Sequence, residues 1–342
     1  MDTNTLSPAP EINTSISKVM RKVLYALVPG IALMVWMFGW GVLTNILLAT
    51  LFCIILEALA LKMRGRDIGA GLSDYSAVVT AWLLAIALPP LMSWWILLIG
   101  CFFAIAVAKH LYGGLGNNPF NPAMVGYVVL LISYPLAMTQ WLTPSILGDS
   151  LPNLSQSMQI VFGGKSFNST GIDAISMATP LDTVKTQLGL SNTLGEIRSA
   201  PLFGQFAGAG WEWVAVLFSL GGLYLVQQKI IPWQTPLALI MGMGIMASFF
   251  WLAMPDHYPP PTFHILTTGT ILGAFYIATD PVSGCSSIRG RVIFAAGVGI
   301  LAYIIRAWGG YPDGIAFGVL LMNMAAPMID HYTIPKSYGN KT

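Results

Sequence analysis

Charge is what this chain has least of. Asp, Glu, Lys and Arg make up 9% of its 342 residues, apolar residues 55%, and the mean hydropathy is +0.70. A soluble domain carries roughly 25% charged residues, so a water-soluble fold of this size is excluded and a polytopic membrane protein remains. The net charge of +2 is too small to mark a nucleic-acid partner. Cysteine is equally sparse: Cys53, Cys101 and Cys285 lie scattered in or beside apolar stretches, with no C-x-x-C pair. That excludes a readable disulfide framework or a Cys-ligated cluster. No G-x-G-x-x-G fingerprint stands in a strand-like context, so no dinucleotide site is legible. Met1 to Ser17 is polar and lacks the apolar core of a cleavable signal; it reads as a disordered tail.

What is present is a series of long apolar runs. A helix needs about 20 apolar residues to cross a bilayer. Stretches near 22–39, 41–62, 73–89, 91–110, 121–140, 211–228, 235–253, 264–279, 291–307 and 314–331 meet that pattern, several of them interrupted by Gly or Pro. The expected fold class is therefore an all-α polytopic membrane protein of about ten transmembrane helices. Five spans precede a polar loop at 141–210 and five follow it. An odd number per half gives the halves opposite orientation, the arrangement of two inverted five-helix repeats. Tyr112-Gly113-Gly114 and Trp308-Gly309-Gly310, closing the fourth and ninth spans, are candidate repeat marks.

Orientation follows the basic residues. With the N-terminus in the cytoplasm, twelve of the sixteen Lys and Arg fall on that side, and Lys165, Lys185, Arg198 and Arg306 on the other. Both termini are then cytoplasmic and the 141–210 loop faces outward. The domain reading is a disordered cytoplasmic tail at 1–20, a first membrane repeat at 21–140, the outward periplasmic loop at 141–210, a second repeat at 211–332 and a cytoplasmic tail at 333–342.

Two regions carry polar chemistry. Gly113-Gly-Leu-Gly-Asn-Asn-Pro-Phe-Asn-Pro122 breaks the helix between spans four and five. Irregular backbone at membrane depth survives where it is buried in protein or lines a cavity. Asn118 and Asn121 offer donors and acceptors without charge, which suits either a neutral planar ligand or a tight turn with capping asparagines. Its counterpart in the second half, Ala278-Thr279-Asp280-Pro281-Val282-Ser283, places a carboxylate near the bilayer edge, as a ligand group, a cation group or a helix cap. The second region is the loop run Asp173-Ala-Ile-Ser176-Met-Ala178-Thr179-Pro180. A threonine hydroxyl needs an activating base to act as a nucleophile. The run contains no His or Lys, and Lys185 is the nearest base. Thr179 reads as a hydroxyl modified by another enzyme.

Asp173-x-x-Ser176-x-Ala178-Thr179 resembles the flavinylation motif of the Rnf and Na⁺-translocating NADH:quinone reductase families, with Met177 where the family often has Gly. The resemblance implies FMN linked covalently through its phosphate to Thr179 by a Mg²⁺-dependent flavin transferase outside the cytoplasmic membrane. The 113–122 segment is similar to that of the RnfD/NqrB family, where it contributes to a non-covalent riboflavin site. By motif match, Asn118 and Asn121 would contact that riboflavin. The likeness covers nearly the whole chain, and the short N-terminal region brings it nearer to the RnfD branch of ion-translocating oxidoreductase complexes than to NqrB.

Glu57 lies deep in span two among Ile54, Ile55, Leu56 and Leu59. A carboxylate there is costly, so Glu57 and Asp280 are the ion-path candidates, with a structural carboxyl as the alternative for Glu57. Lys109, His110 and Arg306 at helix ends read as snorkelling anchors. Trp36, Trp40, Trp94, Trp95, Trp141, Trp211 and Trp251 read as an interfacial belt. No metal site is expected.

The resemblance implies a flavin-carrying membrane subunit of an ion-translocating electron-transport complex in a bacterial inner membrane. It would pass electrons between covalent FMN and riboflavin, coupled to Na⁺ or H⁺. Expected partners are the lipid bilayer, other membrane and periplasmic subunits including a second flavoprotein, and the transferase. It is not a complete enzyme alone. The alternatives are an NqrB-like subunit or a solute channel or transporter of inverted-repeat fold.

Overall fold

A computed structural model of the chain describes residues 11–148, 151–163 and 175–334, the backbone alone for 11–15. The first half holds α1 (Glu11–Phe38), α2 (Gly41–Met63), α3 (Ser76–Ala87), α4 (Trp94–Phe102, running on as a π-helical stretch Phe103–His110) and α5 (Pro122–Ser133). The loop carries α6 (Leu154–Gly163), α7 (Pro180–Gly189) and α8 (Leu194–Arg198). The second half holds α9 (Trp211–Gln227), α10 (Gln234–Ala253), α11 (Thr268–Leu272, running on as a π-helical stretch Gly273–Ile277), α12 (Ile288–Trp308) and α13 (Ile315–Thr333). Residues 11–20, expected as tail, are helical and form the start of α1.

Each of the ten apolar stretches contains helix. Four of these helices are long and apolar enough to cross a membrane: 16–38 of α1, then α2, α10 and α12. Apolar helices α3, α4 with its π-helical extension, α5, α9, and α11 with its own are shorter, from 10 to 17 residues. The stretch at 264–279 is broken because Thr267 caps α11, accepting from the Thr270 N–H, and the helix then widens until Ala278 N–H donates to Gly273 O five residues back. Such i→i+5 turns are frequent at functional sites.

The halves interlock. α1 packs on α9, and α5 on α13; within the halves α2 packs on α3 and α4, and α10 and α13 on α12. The Tyr276 hydroxyl lies between the carbonyls of Ala26 (3.1 Å) and Phe218 (2.9 Å). Gly221 makes the α1–α9 approach possible, since a Cβ there would collide with Ala26 O and the Tyr276 hydroxyl. Small residues permit such close backbone contact in membrane helices. One apolar core runs through both halves, and a satellite core of Val184, Leu194, Ile197, Ala207 and Phe263 lies under the loop helices.

Strands β1 (Trp141–Leu142) and β2 (Ser176–Met177) pair antiparallel, Trp141 against Met177 and Leu142 against Ser176. The pairing pins the start of the polar loop to the segment leading into Thr179.

Candidate functional site

Thr179 is the N-cap of α7. Its backbone is extended, its Oγ1 accepts from Asp182 N–H at 3.2 Å, and Pro180 occupies the first helical position, the arrangement that Thr-Pro favours at a helix start. Ser176 lies in β2 and Ala178 between strand and cap; Asp173 lies outside the described residues. Thr179 borders a cavity of about 140 Å³ with Trp141, Trp211, Met124, Tyr127 and Asp313. Trp141 and Trp211 are each 9% exposed and meet edge-on at 4.8 Å between ring centroids. These two do not belong to an interfacial belt: β1 and the start of α9 turn them inward, whereas Trp36, Trp40, Trp94, Trp95 and Trp251 remain exposed.

Lys185, the nearest base in sequence, is committed elsewhere. Its ammonium donates to the carbonyls of Ile305 (3.4 Å), Arg306 (3.2 Å), Tyr311 (3.0 Å) and Gly309, capping the end of α12. Burial lowers its pKa, opposed by the Asp182 charge. Burial raises the Asp182 pKa, opposed in turn by Lys185.

A second cavity, of about 180 Å³, collects Asn118, Asn121, Asp280, Lys109, Ser76 and Tyr276. The 113–122 segment and its counterpart at 278–283 thus reach one space. Gly113, Gly114 and Gly116 have φ of +126°, +93° and +93°, conformations that glycine alone adopts without strain. Asn118 Nδ2 donates to Phe120 O at 3.1 Å, while its Oδ1 is buried with no hydrogen-bond partner. Asn121 is the N-cap of α5, its Oδ1 accepting from Met124 N–H at 3.2 Å, so it both caps and lines the cavity. Asp280 accepts from Val282 N–H (3.1 Å) and Ser283 Oγ (2.8 Å) and forms no ion pair among the described residues.

Asn323 is a site residue that sequence reasoning does not single out. It is 3% exposed; its Oδ1 accepts from Asn121 N–H at 3.1 Å and its Nδ2 donates to Ser283 O at 2.9 Å, tying the motifs together. The available signal is an asparagine inside the apolar run Leu320-Leu-Met-Asn-Met324, where an amide is expensive unless bonded.

Neighbouring residues separate the two cavities. Ala123 faces the asparagine cavity and Met124 the threonine cavity; Tyr276 and Ala278 face the former and Ile277 the latter.

Glu57 is not bare. It is 2% exposed, its Oε1 accepts from Lys109 Nζ at 2.7 Å, and Lys109 also donates to Ser76 Oγ at 2.7 Å. His110 Nε2 lies 3.0 Å from Glu57 Oε2 but off the hydrogen-bond direction, and both atoms are without a hydrogen bond. Lys109 and His110 are 1% and 7% exposed. They are therefore buried partners of Glu57 rather than snorkelling anchors, because the π-helical end of α4 turns them inward. Arg306 is no anchor either. It is 5% exposed and donates to Asp313 Oδ1 (2.9 and 3.2 Å) and His264 O (3.0 Å).

Residues 3–339 match the NQR2, RnfD, RnfE family. The chain is 51% identical to the D subunit of the ion-translocating oxidoreductase complex of Alcanivorax borkumensis, over 98% of this chain and 96% of that protein. It is 46% identical to the proteins of the same description from Escherichia coli O1:K1 and Shigella boydii serotype 18, over 98% of this chain and 97% of each relative. With the family matched from end to end and relatives at this identity, the chain belongs to the NQR2, RnfD, RnfE family.

Proposed function

We propose that the chain is the D component of an ion-translocating oxidoreductase complex, carrying FMN on Thr179 and riboflavin in the Asn118 cavity. It is a multi-pass protein of the bacterial inner membrane, with ten spans as two inverted five-helix repeats and both termini cytoplasmic. Its partners are the other membrane and periplasmic subunits, a second flavoprotein among them, and a flavin transferase for maturation. The names of its relatives favour this over an NqrB-like role or a solute channel.

One observation carries the reading: the cavity at Thr179 and the cavity at Asn118 back onto each other across single residue steps in two helical segments. Two redox groups so separated suit electron transfer through the protein. When bound, flavins supply that electron transfer, and the protein positions and tunes them.

The residues fit the groups. A flavin ring edge offers an imide N–H, and Asn118 Oδ1 is a buried acceptor without a partner. An ester through Thr179 Oγ1 puts a phosphate at the N-terminus of α7, where backbone N–H groups and the helix dipole favour an anion. Trp141 and Trp211 give the Thr179 cavity an aromatic wall. Glu57 and Asp280 remain the candidates for the coupled ion. Glu57→Gln should leave flavin content unchanged and impair ion transport.

The test is in-gel fluorescence of the denatured protein after co-expression with a flavin transferase. A fluorescent band that Thr179→Ala abolishes is expected; a dark wild-type band rules the reading out.

A further inference from the structure

α6 has more apolar surface than the core uses. It runs from Leu154 to Gly163 without a charged residue. Its start is fixed by a reciprocal cap: Asn153 Oδ1 accepts from Gln156 N–H and Gln156 Oε1 from Asn153 N–H, both at 2.9 Å. At about 100° per residue, three arcs follow one another around the axis. Ser157, Ile160 and Val161 are buried and face the protein, where α6 packs on α2. Leu154, Met158 and Phe162 form the next arc and are 44%, 46% and 53% exposed. Ser155 and Gln159, exposed, and Gln156, half-buried, make the third arc polar. A helix between protein and water needs one apolar arc; a second one beside it calls for a second apolar medium.

The surroundings identify that medium. α6 sits at the end of the bundle where α1 meets α2: a Cβ on Gly39 would lie 3.4 Å from Leu151 Cβ. The spans of α1 and α2 are both long and apolar enough to cross a membrane, so their junction stands at a bilayer edge. Trp36 and Trp40 are exposed there, and tryptophan at such a position marks the headgroup level. Between these two side chains and Leu151-Pro152, which lead into α6, lies a groove of about 530 Å³. α2 also turns Leu47, Leu51, Ile55 and Leu59 outward along its length. We propose that α6 is an interfacial helix, lying in the plane of the membrane surface with Leu154, Met158 and Phe162 among phospholipid acyl chains and Gln159 in water. Having no basic residue, it is held by buried apolar area and not by anionic headgroups. In the chain α6 lies between β1 and β2, and β2 leads into Thr179, so this contact holds the polar loop against the bilayer. None of this depends on a bound flavin.

Cys53, Cys101 and Cys285 are buried, so a thiol introduced on the exposed side of α6 takes a nitroxide label alone. The full-length chain is labelled through Leu154→Cys, Met158→Cys, Phe162→Cys or Gln159→Cys, each a single change at an exposed side chain. It is reconstituted, by itself and with the subunits that copurify with it, in vesicles of phosphatidylethanolamine and phosphatidylglycerol. Spin relaxation by molecular oxygen, which concentrates in hydrocarbon, is compared with relaxation by a water-soluble nickel chelate. The oxygen-to-nickel ratio for labels replacing Leu154, Met158 and Phe162 should exceed that for the label replacing Gln159 several-fold. The excess should persist when phosphatidylglycerol is left out. Four equal ratios overturn the inference, whether all four labels sit in water or all in lipid. So does an excess that vanishes without phosphatidylglycerol. Shielding of the three apolar positions from both reagents in the copurified assembly also overturns it and assigns the arc to a protein partner.

Discussion

Replacing Asn323 by leucine keeps nearly the same volume but removes the amide that joins the two polar motifs. In the folded chain that amide accepts from Asn121 N–H at 3.1 Å and donates to Ser283 O at 2.9 Å, all at a site 3% exposed. Two interhelical hydrogen bonds in a membrane average about 0.6 kcal/mol each, which sets a floor near 1 kcal/mol. Leucine also strands a buried N–H and a buried C=O, at about 1–3 kcal/mol apiece. Stranding dominates, so the expected loss is about 2–6 kcal/mol. The assay is reversible unfolding in mixed micelles titrated with dodecyl sulfate, followed by tryptophan fluorescence. A loss below about 0.5 kcal/mol would mean that both backbone groups find water or other partners, and the argument that Asn323 holds the motifs together fails.

Arg306→Met takes a buried donor from the partly exposed Asp313 and from the His264 carbonyl and should cost about 1–3 kcal/mol in the same titration; Arg306→Met/Asp313→Leu should recover part of it, and no recovery refutes the ion pair as the cause. Burial raises the Asp182 carboxyl above its unfolded pKa, so folding favours the protonated form. Its contribution is full below the unfolded pKa and is lost as pH rises through the folded value. Asp182→Asn should therefore increase amide-exchange protection of 180–189 at pH 7 and leave it unchanged well below the carboxylate range; reduced protection at pH 7 would show that Lys185 attraction outweighs burial. Gly221→Ala should cost about 1–3 kcal/mol by forcing α1 and α9 apart, while Gly195→Ala, with nothing near its would-be Cβ, should stay within about 0.5 kcal/mol; equal effects by thermal unfolding would refute the close-approach argument.

The legible part of the fold is the part carried by local composition. Helix lies in all ten stretches chosen by hydropathy, and Thr179 and the Asn118–Asn121 segment, chosen as polar breaks, each border a cavity. The illegible part involves residues at the ends of apolar runs. Lys109, His110 and Arg306 occupy positions where a long side chain could equally reach water or turn inward. Nothing nearby in sequence decides it, because Lys109 meets Glu57 from 52 residues away. Trp141 and Trp211 depart from the expected belt for the same reason: a tryptophan at a run end looks the same whether it meets lipid or the opposite half of the core.

By itself the sequence determined that the chain belongs in a bilayer, where its apolar stretches lie, and which polar breaks interrupt them. These follow from transfer free energies that add residue by residue along the chain. Only the tertiary structure decided that Asn323 bridges the motifs, that Glu57 is already paired, and that the two cavities share a wall. Those outcomes depend on which face of one helix meets which face of another across long separations, a geometric condition that no local window contains.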